Sequence, residues 1–360
     1  LRSVSGLRGS VHFDPQHTHF NPYEQLLSPM NVSRLVQAWS YATGNDINSS
    51  PTVANGVVYV NAYDTLSALD VGSGRKWWTV SLASGPGGSP SSPAVANGVV
   101  YIGSKGGTVY ALDAKSGTQL WTYTASGDFF ESSPTIADGI VYIGSGHSTL
   151  YALDAKSGSK LWAFNTGILH NVFYDSPAVA NGVVYLGSYF GTLYALDAKS
   201  GSKLWAFNTG GIIFSSPTVA EGTVYISSGS DGTLYALNAR SGARLWTYKA
   251  GSVNGDASVA VAHGLVYVGG GVTLYALDAK SGIQLWAYKA AGDFASSLPT
   301  VANGVVYVDL DNGTLYALDA KSGTKLWAYK IGRYISSSPA VANGEVYIGS
   351  DDSKLYAFHL

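Results

Sequence analysis

The sequence predicts an all-β fold: an eight-bladed β-propeller of four-stranded antiparallel blades, with the ring closed by an N-terminal strand that completes the C-terminal blade. Three observations predict it. Tryptophans recur at a period of about 41 residues, tight-turn signals separate short apolar segments within each period, and no segment shows helical periodicity. The tryptophans that carry the period are Trp39, Trp78, Trp121, Trp162, Trp205, Trp246, Trp286 and Trp327.

A single repeat, residues 132–162, shows how the four strands arise. Its segments SPTIA, IVYIG and TLYALD are rich in Val, Ile, Tyr and Leu, which is typical of strands covered on both faces. An Asp-Gly or Asn-Gly step after the first segment supplies the positive φ angles of a tight hairpin turn. The longer DAKSG turn leads to a fourth strand that contains the Trp. Tight hairpins require antiparallel neighbours, which excludes a solenoid of parallel strands.

Counting the strands predicts how the ring closes. Units of three strands end at Leu69, Leu112, Leu153, Leu196, Leu237, Leu277, Leu318 and Phe358. The last unit lacks a fourth strand, whereas Trp39 lies on a fourth strand that has no third strand before it. We therefore expect a propeller domain at residues 31–360, in which residues 31–42 form the outer strand of the last blade. Residues 1–30 form a lead-in segment. Such pairing removes an open sheet edge.

Composition excludes several classes of function. Of the 360 residues, 46% are apolar and 12% are charged, and the net charge of −2 favours neither nucleic acid nor an anionic membrane as a partner. The absence of cysteine excludes disulfides, thiolate metal sites and cysteine nucleophiles. No apolar run approaches the roughly 20 residues of a transmembrane helix, and no signal peptide opens the sequence, as in a mature or trimmed chain. We expect a monomer.

The repeat also points to a known family. The block ALDAKSGTQLW at residues 111–121 resembles the tryptophan-docking motif of the PQQ-enzyme-like repeat, found in quinoprotein alcohol dehydrogenases and in non-enzymatic outer-membrane assembly propellers of bacteria. The resemblance implies that the eight tryptophans form a structural girdle between neighbouring blades. The segment VHFDPQHTHFNPYEQLLSP resembles the lead-in of secreted or periplasmic bacterial members, which implies an exported bacterial protein.

The same resemblance favours the non-enzymatic branch. The adjacent cysteines that quinone enzymes typically carry over the quinone are absent, and none of the family's Ca²⁺-holding or catalytic residues can be aligned to a position in this sequence. We therefore expect neither PQQ nor Ca²⁺ as a cofactor.

Comparing the copies with one another locates the functional surface. The Asn-Gly and DAKSG turns lie at one end of the blades, here called the uniform face, and they hardly vary. The crossovers between blades and the turns after strand two lie at the other end, here called the variable face, and they differ widely. Function on a rigid scaffold usually lies in such loops.

We expect the variable face, near the central channel, to bind a protein, a peptide or a glycan through stacking side chains. The alternative is that each aromatic residue only fills the channel mouth or a gap between blades. The candidate binding residues are Phe129, Phe130, His170, Phe173, Tyr174, Asp175, Tyr189, Phe190, Phe214, Phe294, Arg333 and Tyr334.

Catalytic and metal sites are not predicted. The acidic crossover residues are ordinary turn residues. His12, His17 and His19 belong to a lead-in segment expected at the surface, with no carboxylate or thiol in register for a transition metal. Two alternatives to a binding propeller stay open: a PQQ-dependent oxidoreductase, and a purely structural repeat protein, recently amplified or designed, which the near-identity of the copies favours.

Overall fold

A computed structural model describes residues 14–85, 91–125, 128–168, 172–229, 232–251, 259–294 and 298–360. Eight antiparallel sheets of four strands form the eight blades, and one sheet gains a short fifth strand, Phe20–Asn21, from the lead-in segment. A single-turn 3₁₀ helix spans Val32–Arg34. In the part of the chain so described, no helix is long and apolar enough to cross a membrane. The predicted eight-bladed all-β fold is confirmed.

The strands of each blade follow one another in the sheet from strand one to strand four. The strands of blades 1 to 4 are Thr52–Ala54, Val57–Ala62, Thr65–Asp70 and Lys76–Ser81; Ala94–Ala96, Val99–Gly103, Thr108–Asp113 and Gln119–Thr124; Thr135–Ala137, Ile140–Gly144, Thr149–Asp154 and Lys160–Asn165; Ala178–Ala180, Val183–Gly187, Thr192–Asp197 and Lys203–Asn208.

The other four blades repeat this order. Their strands are, for blades 5 to 8, Thr218–Ala220, Thr223–Ser228, Thr233–Asn238 and Arg244–Lys249; Ala260–Ala262, Leu265–Gly270, Thr273–Asp278 and Gln284–Lys289; Thr300–Ala302, Val305–Leu310, Thr314–Asp319 and Lys325–Lys330; Ala340–Ala342, Glu345–Ser350, Lys354–His359 and, from the N-terminal part of the chain, Val36–Ala42.

The closing strand pairs as the repeat count predicts. Val36–Ala42 runs antiparallel to Lys354–His359, with Trp39 opposite Ala357. Trp121 lies opposite Ala111 in the same way within blade 2, and a bulge precedes the tryptophan in both blades. The N-terminal strand therefore takes the place of a fourth strand in blade 8, and the predicted ring closure is confirmed.

Neighbouring blades are joined by repeated hydrogen bonds at the uniform face. The Trp78 indole Nε1 and the Tyr59 hydroxyl of blade 1 both donate to the carbonyl of Ala114 in blade 2, each at 3.1 Å. Trp205 and Tyr185 make the same pair of bonds to Ala239. At the closure, Trp327 donates instead to the carbonyl of Leu35, next to the closing strand. Each tryptophan thus reaches the following blade, which is the girdle geometry that the repeat implies.

The lead-in segment follows the wall of the central channel. Strand one of each blade contacts strand one of its neighbours, so these strands surround the axis. The backbone N–H groups of Val179, Val219, Val261 and Val301, in blades 4 to 7, donate to the carbonyls of Pro15, Gln16, Thr18 and His19 at 2.6–2.8 Å. The segment then reaches the uniform face, where the Glu24 carboxylate accepts from the N–H of Gly344 and the Asn303 amide donates to Leu27. The boundary at residue 30 between lead-in and propeller stays a prediction.

His17 and His19 do not lie at the surface, so that expectation is wrong. Each side chain is only 1% exposed, because the segment turns inward along the channel wall instead of covering the outside of the ring. His17 Nε2 lies 3.0 Å from the hydroxyl of Thr135 in blade 3. Burial lowers the pKa of His19 to about 3 and holds the pKa of His17 well below its ordinary value, so both imidazoles are neutral at neutral pH.

Candidate functional site

Several crossovers of the variable face carry one buried apolar side chain near their end, just before strand one of the next blade. Phe130, Phe173 and Phe294 are each 0% exposed. The Cβ atoms of Phe130 and Phe173 lie against Gly103 and Gly144, at the end of strand two in the preceding blade. A methyl group on either glycine would come within 2.7 Å of the phenylalanine Cβ, so glycine is required for this close approach.

Isoleucine takes the same role in other crossovers. Ile47 and Ile213 are buried against Gly349 and Gly187, and Ile335 is also buried. Phe130, Phe173 and Phe294 therefore belong to the core, where no ligand on the variable face can reach them, and their placement fits the structural alternative. Aligning the crossovers backwards from their Ser-Pro steps would have shown this, because in six of the eight crossovers an apolar residue stands two positions before the first serine or its replacement, as in Phe130-Glu131-Ser132 and Ile213-Phe214-Ser215.

Four other candidate residues form one exposed group, which we call the aromatic cluster: Tyr174, Tyr189, Phe190 and Phe214. The ring of Tyr189 lies at its centre, 6.0 Å from Tyr174, 5.5 Å from Phe190 and 5.5 Å from Phe214 between centroids. Tyr174 is 38% exposed and Phe190 is 50% exposed. The cluster joins the crossover into blade 4, the turn after strand two of blade 4 and the crossover into blade 5.

The backbone holds these loops in place. The N–H of Tyr189 donates to the carbonyl of Val172 in the adjacent crossover, and the N–H of Gly229 donates to Ile212 in the next one. Each turn after strand two is therefore tied to the crossover beside it. The cluster is presented by loops that the blades anchor on both sides, which reduces the entropy that binding would cost.

Carboxylates lie beside the cluster. Burial raises the pKa of the Tyr174 hydroxyl, and the charges of the nearby Glu131 carboxylate and Tyr189 phenol group raise it further. Asp175, the next residue along the chain, is 7% exposed and stands where most other copies have serine. The carboxylate of Glu131 therefore places negative charge near the exposed ring of Tyr174.

A second arrangement lies on the blade 3 side of the variable face. The Phe129 ring covers Gly146, where an added Cβ would lie 1.9 Å from the ring, and it contacts His147 edge-on at 5.8 Å. Asp128 Oδ1 lies 3.4 Å from His147 Nδ1, and the Tyr151 hydroxyl donates to the other carboxylate oxygen. Phe129 is partly buried by these contacts, so it contributes less exposed surface than Phe190.

The remaining candidates do not join the aromatic cluster. Tyr334 is 47% exposed and Arg333 is exposed, but both lie in the crossover into blade 8, on the opposite side of the ring from blade 4. His170 lies outside the described residues. Among the described His, Asp and Glu side chains, no group of three or more is placed to hold a metal ion.

Comparisons with known proteins agree with this architecture. A family model described as outer membrane protein assembly factor BamB matches residues 36–87, 64–174, 147–271 and 252–360. A 1-butanol dehydrogenase (cytochrome c) from Thauera butanivorans is 31% identical over 120 residues, which make up 30% of this chain and 17% of that protein. The chain matches less than a third of the length of each of the curated relatives found.

Two solved structures illustrate the range of proteins that share the fold. A europium-containing methanol dehydrogenase superposes with a TM-score of 0.82 at 15% identity, covering 98% of this chain and 97% of that chain. BamB from Moraxella catarrhalis superposes with a TM-score of 0.72 at 18% identity, covering 91% of this chain and 100% of that chain. At such identities the likeness establishes the fold alone, since one scaffold carries unrelated functions.

Proposed function

This chain belongs to the family described as outer membrane protein assembly factor BamB, and from that premise we propose that it is a non-enzymatic propeller that binds a protein or peptide through its variable face. The family description names a factor that acts on other proteins. A rigid ring that presents differing loops at one end suits that role.

The aromatic cluster is the observation that carries this proposal. Aromatic side chains dominate the energetics of protein interfaces because they bury a large area at little cost in side-chain entropy. Here Tyr174 and Phe190 expose their rings beside Tyr189 and Phe214. A fold selected only for stability has no use for adjacent exposed rings, so the cluster also argues against a purely structural repeat protein.

The proposal is tested by panning a random peptide library against the immobilised chain. The double variant Tyr174→Ala, Phe190→Ala serves for subtraction, and Tyr334→Ala, which removes an exposed ring from the opposite side of the same face, is the matched control. We expect peptides that bind the chain and Tyr334→Ala alike but not the double variant. If every selected peptide binds all three proteins equally, the cluster is not the binding site.

A glycan microarray probed in parallel tests for glycans, the third class of ligand expected from the sequence. Exposed aromatic rings also stack on sugars. Glycan binding that depends on the cluster would therefore indicate a carbohydrate ligand instead of a polypeptide. We expect no glycan signal that the double variant loses. Such a signal, with no cluster-dependent peptide, would contradict the proposed polypeptide partner.

A PQQ-dependent oxidoreductase is the second candidate, favoured by the match to the 1-butanol dehydrogenase. The chain lacks the adjacent cysteines that quinone enzymes typically carry over the quinone, which weighs against this candidate. We propose that the protein works without this cofactor. Mixing purified protein with PQQ and Ca²⁺ should produce neither a bound chromophore nor dye-linked alcohol oxidation, and either signal would favour the enzyme.

The proposed site of action is outside the bacterial cytoplasm. The family description names the assembly of outer membrane proteins, and the lead-in segment resembles that of secreted or periplasmic propellers; both support this site of action. Fractionation of the source cells, followed by detection of the chain in the periplasm or the medium, tests this part of the proposal. Recovery only with the cytoplasm would contradict it.

A further inference from the structure

Where blades 1 and 2 meet on the variable face, the ammonium group of a lysine lies over a tyrosine ring. The Nζ atom of Lys105 lies 4.1 Å from the ring centroid of Tyr63. Tyr63 begins the turn after strand two in blade 1, and Lys105 occupies the corresponding place in blade 2. Although it carries a charge, Lys105 is only 6% exposed. The variable face of this fold therefore accommodates an ammonium group over a tyrosine ring.

The aromatic cluster has a tyrosine at the position equivalent to Tyr63 but no lysine at the position equivalent to Lys105. Tyr189 follows Ser188 in the turn of blade 4 as Tyr63 follows Ala62 in blade 1. In the next blade, the place of Lys105 is taken by Gly229, which has no side chain, and a Cβ atom added there would lie 3.2 Å from the ring of Phe214. Tyr189 is thus surrounded by three rings, and the adjoining blade offers no charged side chain at the position that serves Tyr63.

The charge of the surrounding loops favours a positive ligand. The basic side chains of the variable face lie away from the loops that carry the cluster: Lys105, His147 and Arg333 in other turns and crossovers, and Lys249, Lys289, Lys330 and Lys354 at strand ends. The described residues of the crossovers into blades 3, 4 and 5 and of the turn after strand two of blade 4 contain Asp128, Glu131 and Asp175 but no lysine or arginine. Such a field attracts cationic groups over several ångströms and repels carboxylates.

Building on the proposed function, we infer that the aromatic cluster binds the cationic side chain of an arginine or lysine in the partner polypeptide. The rings of Tyr189 and Phe190 contact the cation and its alkyl stem, and the carboxylates beside the cluster supply long-range attraction. A partner recognised by stacking or apolar contact alone would need no charge. The inference therefore predicts charge selectivity that general aromatic binding does not.

The test uses blocked Gly-Ser peptides that contain two arginines, with citrulline or glutamate replacing both arginines in matched peptides. Binding to the full chain is measured by isothermal titration and by NMR at low and high NaCl. We expect the citrulline peptide to bind about tenfold more weakly than the arginine peptide, since citrulline keeps the shape but loses the charge. The glutamate peptide should not bind, and salt should weaken the arginine peptide.

Variants of the protein test whether the arginine peptide binds at the aromatic cluster. Phe190→Ala should weaken the arginine peptide about fivefold, whereas Tyr334→Ala should leave its affinity unchanged. Gly229→Lys restores the cation that blade 2 supplies and should also weaken the peptide, about tenfold. The backbone at Gly229 lies outside the left-handed region, so lysine is tolerated once the Phe214 ring yields by a few tenths of an ångström. An unchanged melting temperature shows that this variant is folded.

The outcomes separate the two proposals. Equal affinity for the arginine and citrulline peptides, or no binding of the arginine peptide, overturns the inference of a cationic ligand. The proposed function would survive that result if the library still yields peptides that depend on Tyr174 and Phe190. Full affinity of the arginine peptide for both Phe190→Ala and Gly229→Lys would place the cation elsewhere and also overturn the inference.

Discussion

Adjacent residues in one crossover have opposite roles. Phe173 is fully buried against Gly144 of blade 3, whereas Tyr174, the next residue, is 38% exposed and contacts Tyr189. The alternation follows from extended backbone, in which successive side chains point in opposite directions. Stability and binding are therefore carried by different side chains of the same loop.

This difference predicts distinct effects of two alanine substitutions. Phe173→Ala should lower the free energy of unfolding by about 3 to 5 kcal/mol, because it leaves a cavity between two blades. Tyr174→Ala should change it by no more than about 1 kcal/mol, since the side chain lies at the surface. Urea unfolding followed by tryptophan fluorescence measures both values, and equal losses would show that Tyr174 is also a core residue.

At the scale of elements, the lead-in segment makes the stability of the propeller depend on pH. His17 and His19 are neutral in the folded protein because burial lowers their pKa, whereas an unfolded histidine has a pKa of about 6.5. Below pH 6.5 the unfolded chain therefore binds protons that the folded chain does not. Stability is present in full above that pH and is lost as the pH falls toward about 3, the folded pKa of His19.

We expect the free energy of unfolding to fall between pH 7 and pH 5 by up to about 1.4 kcal/mol per pH unit for each histidine once the pH is well below 6.5. The double variant His17→Gln, His19→Gln should show a shallower slope, whatever its stability at pH 7. His147→Gln, which removes a largely exposed histidine, is the control and should keep the full slope. An identical slope in the double variant would contradict the burial of the two imidazoles.

At the scale of the whole molecule, the N-terminal part of the chain holds the ring together through two separate interactions. The strand Val36–Ala42 completes blade 8, and the lead-in segment binds the inner strands of blades 4 to 7 in succession. The first interaction removes the open edge of Lys354–His359, and the second ties four blades to one another across the channel wall. Both depend on contacts between residues far apart in the chain.

Deleting residues 1–42 should destabilise the protein more than Trp39→Ala does in the full chain. The point variant loses one girdle side chain, at about 3 to 5 kcal/mol, while the deletion leaves blade 8 with three strands and an unpaired edge. Deleting residues 1–22 keeps the closing strand and removes the hydrogen bonds to blades 4 to 7, so it should destabilise the protein less than deleting residues 1–42. Melting temperatures measure the series, and an unchanged value for the longest deletion would refute closure by this strand.

The sequence by itself determined the number of blades, their four strands and the closure through Trp39. These follow from repeated local rules. Every blade has a two-residue step that ends in glycine and has positive φ angles, as at Asn55 and Gly56, and each of the seven DAKSG-type turns is followed by a tryptophan at the same distance. A signal that recurs at a fixed period identifies the architecture even where any single copy is ambiguous.

Only the tertiary structure decided which loop side chains are exposed. Phe130, Phe173 and Phe294 are as aromatic as Phe190, but each meets a glycine of the preceding blade and is buried there, whereas Phe190 remains half exposed. His17 and His19 are buried because the lead-in segment bonds to strands more than a hundred residues away. Burial in a ring depends on what the neighbouring blade places opposite a residue, so a single crossover read by itself does not reveal it.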